Sequence, residues 1–371
     1  MDLNLSLPRR TLVTGGTGFI GSHQVVSLLE AGFEVAVVDD LSNSWPQTLD
    51  RIQTITGKTP WFHQLDIRDT ENLRTVIHEF QPDSVVHMAG RKHVGESTQI
   101  PQDYYDSNVG GLLSLLAALR PLSVRKLVFS SSGSVYGPAD RLPIPESHPH
   151  RPTNPYSATK SMCERVLSDL CAADPSWSVV ALRYFNPTGA HSSGLLGEFC
   201  IGRPSNLMPA LIEAGLLGRP ILVHGDDYNT ADGTGVRDYV HVEDVAEAHL
   251  RALNLMEDGQ FGGFNPINVG RGIGLSVLEL VEAMENTIGR TLPVRIDNRR
   301  PGDVATLYGD TRLATELLGM DTYRSVAQMC DDAWRFRTTN PNGYRAKDTD
   351  SDSSQISINT DSPRIITLAN S

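Results

Sequence analysis

Three glycines in the stretch Thr14-Gly15-Gly16-Thr17-Gly18-Phe19-Ile20-Gly21 restrict what this chain can fold into more than any other feature. They follow the apolar run Thr11-Leu12-Val13-Thr14 and open a helical pattern from Ile20 to Ala31. Strand, glycine turn and helix in that order build a dinucleotide site. The glycines let the backbone turn sharply and approach a pyrophosphate, which sits at the positive end of the helix. The spacing is Gly-x-x-Gly-x-x-Gly, with Gly15, Gly18 and Gly21 as its fixed points and Phe19 and Ile20 beside the cofactor. Asp39 separates this motif from an ordinary glycine-rich turn. It ends the run Val35 to Val38, where a carboxylate accepts hydrogen bonds from ribose hydroxyls and repels a 2′-phosphate. Asp40 can share that role, and no arginine follows closely, so NAD is expected over NADP. Asp66 and Ile67 would lie near the adenine, although a helix-flanking turn accounts for them almost as well.

The first half of the chain continues in the same rhythm. Candidate strands at Ser84–His87, Lys126–Phe129 and Val179–Leu182 alternate with helical patterns at Glu71–Phe80 and Leu112–Leu119. This predicts an α/β fold, a doubly wound parallel sheet covered by helices on both faces. After Arg183 the texture changes to Gly, Pro, Asn and Asp, typical of irregular segments that build a site. Helical patterns return at Val242–Met256, Ser276–Thr287 and Ser325–Arg337. The expected division is a cofactor domain over residues 1–185 and a smaller, irregular α/β substrate domain over 186–345, with a segment near 240–265 returning to the first. The polar residues 346–371 are expected to form a disordered tail.

At 371 residues the chain is long for one core. Its formal charge of −12 argues against a general nucleic-acid binder. An anionic small molecule is still compatible with that charge, because screening over about 10 Å lets one or two local arginines outweigh distant carboxylates. Cys163, Cys171, Cys200 and Cys330 show no metal-ligand spacing, so no metal is expected, and they read as reduced thiols. No apolar run approaches a bilayer span, and Met1 to Arg10 lack a secretory pattern, so a cytoplasmic protein is expected.

The chemistry is concentrated in Tyr156-Ser157-Ala158-Thr159-Lys160. A tyrosine and a lysine four apart share one helix face, and an ammonium there favours the phenolate over its ordinary value near ~10. Tyr156 is then a base beside a hydride acceptor, which is what carbinol oxidation needs. Such pairs occur by chance on many helices; the dinucleotide turn upstream gives this one its weight. Ser130-Ser131-Ser132-Gly133-Ser134-Val135-Tyr136-Gly137 follows a strand, at the sheet edge where α/β enzymes bind ligands, and a hydroxyl there can bridge a substrate oxygen and Tyr156.

With Gly, Asp, Ser, Tyr and Lys in this order, the chain resembles the extended short-chain dehydrogenase/reductase superfamily and, within it, the UDP-glucose 4-epimerases. The likeness runs from about Arg10 to Tyr344. It rests on Met88-Ala89-Gly90-Arg91-Lys92-His93-Val94-Gly95-Glu96-Ser97, Arg183-Tyr184-Phe185-Asn186-Pro187, Asn206-Leu207-Met208-Pro209, Asp232-Gly233-Thr234-Gly235-Val236-Arg237-Asp238-Tyr239 and Arg299-Arg300-Pro301-Gly302-Asp303. The resemblance implies NAD, a UDP-sugar substrate and a homodimer. It adds Asn43, Ala89, Lys92, Asn108 and Phe185 to the cofactor contacts, together with Tyr156 and Lys160. It places Lys92, Ser132, Tyr156, Asn186, Asn206, Leu207, Arg237, Arg300 and Asp303 at the substrate, the two arginines on the diphosphate, where guanidinium forks suit phosphate oxygens. The implied reaction is transient oxidation: Tyr156 takes the C4 hydroxyl proton, the hydride leaves C4, the 4-keto sugar turns over, and the hydride returns to the other face.

The chain departs from the family pattern at Arg91, His93, Gly133-Ser134, Phe199-Cys200-Ile201 and His224. His93 is given no role, since a lone loop histidine is more often a surface or hydrogen-bonded residue. A 4,6-dehydratase would need carboxylates after Ser132, and Gly133-Ser134 supply none. A non-catalytic NAD-binding sensor predicts erosion of Tyr156 or Lys160, and both are present. Epimerases of UDP-N-acetylhexosamines, UDP-pentoses or UDP-hexuronates stay open. Leu307, four residues past Asp303, lines the sugar pocket in related epimerases. Its size favours UDP-glucose and UDP-galactose over 2-acetamido sugars, unless it simply packs in the small domain.

Overall fold

The computed structural model describes residues 9–200, 204, 206–300, 302–321 and 323–345. The expected doubly wound parallel sheet is present. Its strands are β1 (Arg10–Thr14), β2 (Glu34–Asp39), β3 (Trp61–Gln64), β4 (Ser84–His87), β5 (Lys126–Ser132) and β6 (Ser178–Tyr184), closed by an edge strand, Gly263–Val269. The order runs edge strand, β6, β5, β4, β1, β2, β3. The chain reverses direction across the sheet at β1, which pairs in parallel with both β2 and β4. Ligands of doubly wound sheets bind at that switch point.

Alternation along the strands fills two cores, as the two-residue period requires. Val13, Val37, Val86, Val128 and Val180 join one buried cluster, under helix α1 (Phe19–Glu30) and the helix Val242–Glu257. Leu12, Ala36, Val38, Val85, Leu127 and Val179 join the other, on the opposite face. The helix Val242–Glu257 lies against α1, β5 and β6. The edge strand Gly263–Val269 follows this helix and pairs in parallel with β6. A third cluster, around Leu211, Leu280, Met284 and Met329, joins the helices Leu207–Leu217, Val277–Ile288 and Val326–Thr339. The last two helices each begin with a reciprocal capping box, Ser276 with Glu279 and Ser325 with Gln328.

Two strands are absent from the hydrophobic pattern of the sequence. Trp61–Gln64 is only four residues long, and Gly263–Val269 carries Pro266 and two asparagines. A proline is tolerated in the second because that strand pairs only with β6 and leaves its other side open. No helix among the described residues is long and apolar enough to cross a membrane. The expected tail, 346–371, lies outside the described residues.

Candidate active site

The turn after β1 is built for close approach. Gly15 has φ of 74°, and a Cβ there would come within 2.7 Å of the Ala89 nitrogen. A Cβ on Gly21 would meet the Gly15 carbonyl oxygen at 2.0 Å, so the first turn of α1 can pack on the loop only without one. Gly18 caps α1 with no side-chain hydrogen bond, and no acidic residue stands in the first turn. The first N–H groups of this helix, at Phe19 and Ile20, therefore keep their capacity for an anion. The backbone cradle and the uncapped positive end fit a dinucleotide pyrophosphate.

Asp39 ends β2 and is buried beside this turn. Its carboxylate accepts from the Thr17 N–H (3.1 Å), the Leu41 N–H (3.0 Å) and the Ser44 hydroxyl (2.9 Å). It therefore stitches the glycine turn to the loop that holds Asp40 and Asn43, both exposed. Asp40 accepts from the Ser42 N–H at 2.9 Å. Asp66 is paired with Arg68, whose hydrogen bonds hold the Asp66 carboxyl below the usual carboxylate range, and Arg68 also reaches Asp106. Ile67 beside it is buried. Asn108 comes from a single π-helical turn, Tyr105–Gly110. Its side chain accepts from the Arg91 N–H (2.7 Å) and donates to the Arg91 carbonyl (3.1 Å) and the Thr159 hydroxyl (2.9 Å). One residue thus joins the loop after β4 to the helix that carries Tyr156.

That helix, Pro155–Ala173, starts where its sequence dictates. The Asn154 side chain accepts from the Ser157 N–H at 2.9 Å, and Pro155 occupies the first turn. Tyr156 is then fixed near the helix start, with Ser132 at the end of β5 nearby. Burial raises the Tyr156 phenol above its ordinary value, while the Ser132 hydroxyl and the Lys92 ammonium pull it back. Lys160 sits one turn on, with its ammonium 2.7 Å from the Ser130 carbonyl oxygen, and burial lowers it to about 8. A buried ammonium needs an acceptor, and the end of β5 offers Lys160 that carbonyl.

The remaining positions gather on the segments after β6. Phe185 is buried, stacked on Tyr136, and its ring would lie 2.7 Å from a Cβ on Gly133; this departure from the family pattern makes room for it. Asn186 opens a short strand paired with Tyr239–His241. Arg237 and Leu307 are register partners in adjacent short strands, and Arg237 reaches Asp303 at 3.4 Å. Arg300 shares a turn with Asp303, whose N–H donates to the Arg300 carbonyl at 3.2 Å. Thr153, just before the Tyr156 helix, donates to the Gly302 carbonyl at 3.4 Å and brings that turn alongside. Leu307 is partly buried against Val135, Tyr136, Ile144 and Phe185. Asn206 and Leu207 start the helix Leu207–Leu217.

Glu198 was not singled out by the sequence. Its Oε1 accepts from the Lys92 ammonium at 2.9 Å and from the Asn206 amide at 3.1 Å. Glu164, a turn beyond Lys160, was also missed; it is buried, accepts from Arg183 Nε at 2.9 Å and from Ser131, and fixes the Tyr156 helix to β5 and β6. A carboxylate one further turn along the same helix was the available signal for Glu164.

The chain matches the model of the NAD dependent epimerase/dehydratase family over residues 11–270. It is 46% identical over 348 residues to the UDP-glucose 4-epimerase of Drosophila melanogaster, an alignment covering 92% of this chain and 99% of that one. It is 44% identical to the human UDP-glucose 4-epimerase, with 91% and 99% covered. Among solved structures, UDP-glucose 4-epimerase from Bifidobacterium longum in complex with NAD+ and UDP superposes with a TM-score of 0.87 at 43% identity, covering 90% of this chain and 99% of that one. By this family match, identity and superposition, the chain belongs to the NAD dependent epimerase/dehydratase family, among its UDP-glucose 4-epimerases.

Proposed function

We propose that this enzyme interconverts UDP-glucose and UDP-galactose through reversible oxidation at C4, with Tyr156 as the base. The observation that carries the reading is Tyr156 at the start of its helix, with Lys160 one turn on bonded to the Ser130 carbonyl of β5, on the sheet edge that also bears the uncapped start of α1. NAD is the cofactor, held by Gly15, Gly18 and Gly21 on its pyrophosphate and by Asp39 on its ribose; it would supply uptake and return of the C4 hydride. Ser132 orients the reacting hydroxyl, Tyr156 takes its proton and later gives it back, and Lys92 favours the phenolate between those events. Lys160, its charge already weakened by burial, holds the cofactor ribose and supports the proton transfer. Arg237 and Arg300 bind the diphosphate, and Asn186, Asn206 and Asp303 the rest of the nucleotide sugar. The substrate unit is the part after Phe185, apart from the segment that returns to the sheet.

The test is to incubate the purified enzyme with UDP-glucose, UDP-galactose and their N-acetyl analogues without added NAD. Conversion of the hexose pair, and release of NAD on denaturation, are the expected results. Recovery of mainly NADP, or stoichiometric consumption of NAD, would instead mark an ordinary dehydrogenase.

A homodimer in the cytoplasm is part of the same reading. Its support is the exposed apolar side chains Tyr105, Leu113 and Met162, on helical segments that pack against each other, and the four unpaired cysteines. Sedimentation of a Leu113→Asp, Met162→Asp variant should report a monomer.

A further inference from the structure

Glu198 stands between two groups that the reaction needs and that the sequence keeps far apart. Lys92 follows β4, and Asn206 starts the helix Leu207–Leu217; both donate to the same oxygen, Glu198 Oε1, at 2.9 and 3.1 Å. The Glu198 side chain is only 12% exposed while that of Lys92 is 37% exposed, so the carboxylate is the anchored end of the pair and the ammonium is the end held in place by it.

We propose that Glu198 is a positioning residue that holds the Lys92 ammonium beside Tyr156 and ties it to the start of the substrate-binding helix. The inference rests on the reading of Tyr156 as the base.

The charge balance at this point is simple. Lys92 faces Glu198, Cys200 and Tyr156, with the Phe19 ring 5.8 Å away. Burial alone would weaken the Lys92 charge; Glu198 more than restores it. Of the other groups here, Cys200, Tyr184 and His93 are neutral near pH 7, while Lys160 keeps its ammonium at the Ser130 carbonyl. Burial pushes the Cys200 thiol up to about 11 and also raises Tyr184, which faces Tyr156, well above its ordinary value. Burial and Lys92 push His93 down, against the pull of Glu96 and Glu198. Glu213 and Arg337 act on Cys200 from the far side. Removing the Glu198 charge therefore leaves the Lys92 ammonium free to swing to solvent. That takes a positive charge away from Tyr156 and raises its phenol.

The experiment compares kcat–pH profiles of the wild type, Glu198→Gln, Lys92→Met and the double variant, with UDP-galactose as substrate. Glu198→Gln keeps the side-chain shape and should move the acid limb of kcat up by about one pH unit, the scale of one nearby charge. Lys92→Met should give the same displacement, and the double variant no more than either. Glu198→Ala, which also frees Asn206, should in addition raise KM roughly five-fold, about one net hydrogen bond. Glu198→Asp, too short to reach both partners, gives an intermediate limb and serves if the glutamine variant does not fold. An unmoved limb in Glu198→Gln, or displacements that add in the double variant, overturns the proposal. Tyr156→Phe run alongside separates the two readings. If it is inactive while Glu198→Gln keeps the wild-type limb, the Glu198 role alone falls; if it keeps full activity, the base assignment falls first.

Discussion

Tyr156 has to give up a proton in surroundings that favour keeping it, because burial raises its phenol. What the side chain does chemically can be separated from what it does as a ring. In Tyr156→Phe the ring stays and only the base is lost. Turnover should fall ~10²- to 10⁴-fold while the protein folds and retains NAD; near-normal rates would refute the assignment. Lys160→Met removes a buried ammonium that has a backbone acceptor, so it should lower turnover comparably and also release NAD more readily. Sugar choice is argued at Leu307. Its side chain packs on the cluster of Val135, Tyr136, Ile144 and Phe185 and is the register partner of Arg237, so it is both packed and next to a proposed diphosphate ligand. Steric discrimination by one apolar side chain is worth about 1–3 kcal/mol. Leu307→Cys should therefore raise the ratio of N-acetylhexosamine to hexose turnover without abolishing either. An unchanged ratio would mean that Leu307 only packs.

The glycine turn with α1, and the Tyr156 helix, were legible because each is written within about 25 residues. A turn with special backbone needs, a carboxylate at the end of the next strand and a four-residue spacing all appear in a linear reading. The Lys92–Glu198 bond spans 106 residues and leaves no local trace. The tie from Lys160 to the Ser130 carbonyl is equally silent, because any residue supplies a carbonyl. The edge strand Gly263–Val269 was hidden by Pro266 and its asparagines. The α1 turn also carries a prediction. Gly21→Ala puts a methyl group 2.0 Å from the Gly15 oxygen, so the turn has to open where the pyrophosphate would lie. Overpacking of this kind costs about 1–3 kcal/mol, or roughly five- to 150-fold in NAD affinity. Nucleotide released from the denatured variant should fall well below one per chain, with helical content preserved. Full NAD occupancy would mean that the cradle lies elsewhere.

Across the whole molecule, acid stability is set by histidines that the fold keeps neutral. His23, His87 and His249 are 2%, 2% and 0% exposed, and burial pushes the first two down to about 3 and the third to about 4. A histidine lowered in the fold contributes stability that is fully present above its ordinary value near 6.5 and is lost as pH falls through the folded value, because the unfolded chain takes the proton first. Asp238 has the opposite sign. Burial raises it to about 6, so its contribution is present at low pH and fades as pH rises through that value. Between about pH 4 and 6 these histidines, joined by His63, His93, His150 and His191, which burial also lowers, oppose Asp238 and Glu146, which burial raises. Each proton is worth about 1.4 kcal/mol per pH unit, so the histidines prevail and the enzyme should lose stability steeply on acidification. Urea midpoints measured at half-unit steps from pH 7.5 to 4.5 should be level above about 6.5 and then fall. His249 is the place to test the cause. Its Nδ1 bonds only the Val245 carbonyl of its own helix, at 2.8 Å, and its ring leans on Tyr184. In His249→Phe the ring contact survives and one titrating group is gone, so the acid slope should flatten by about one proton's worth even if the midpoint at pH 7.5 drops. A level midpoint across the whole range, or a slope untouched by this substitution, would show that acid lability arises at other groups.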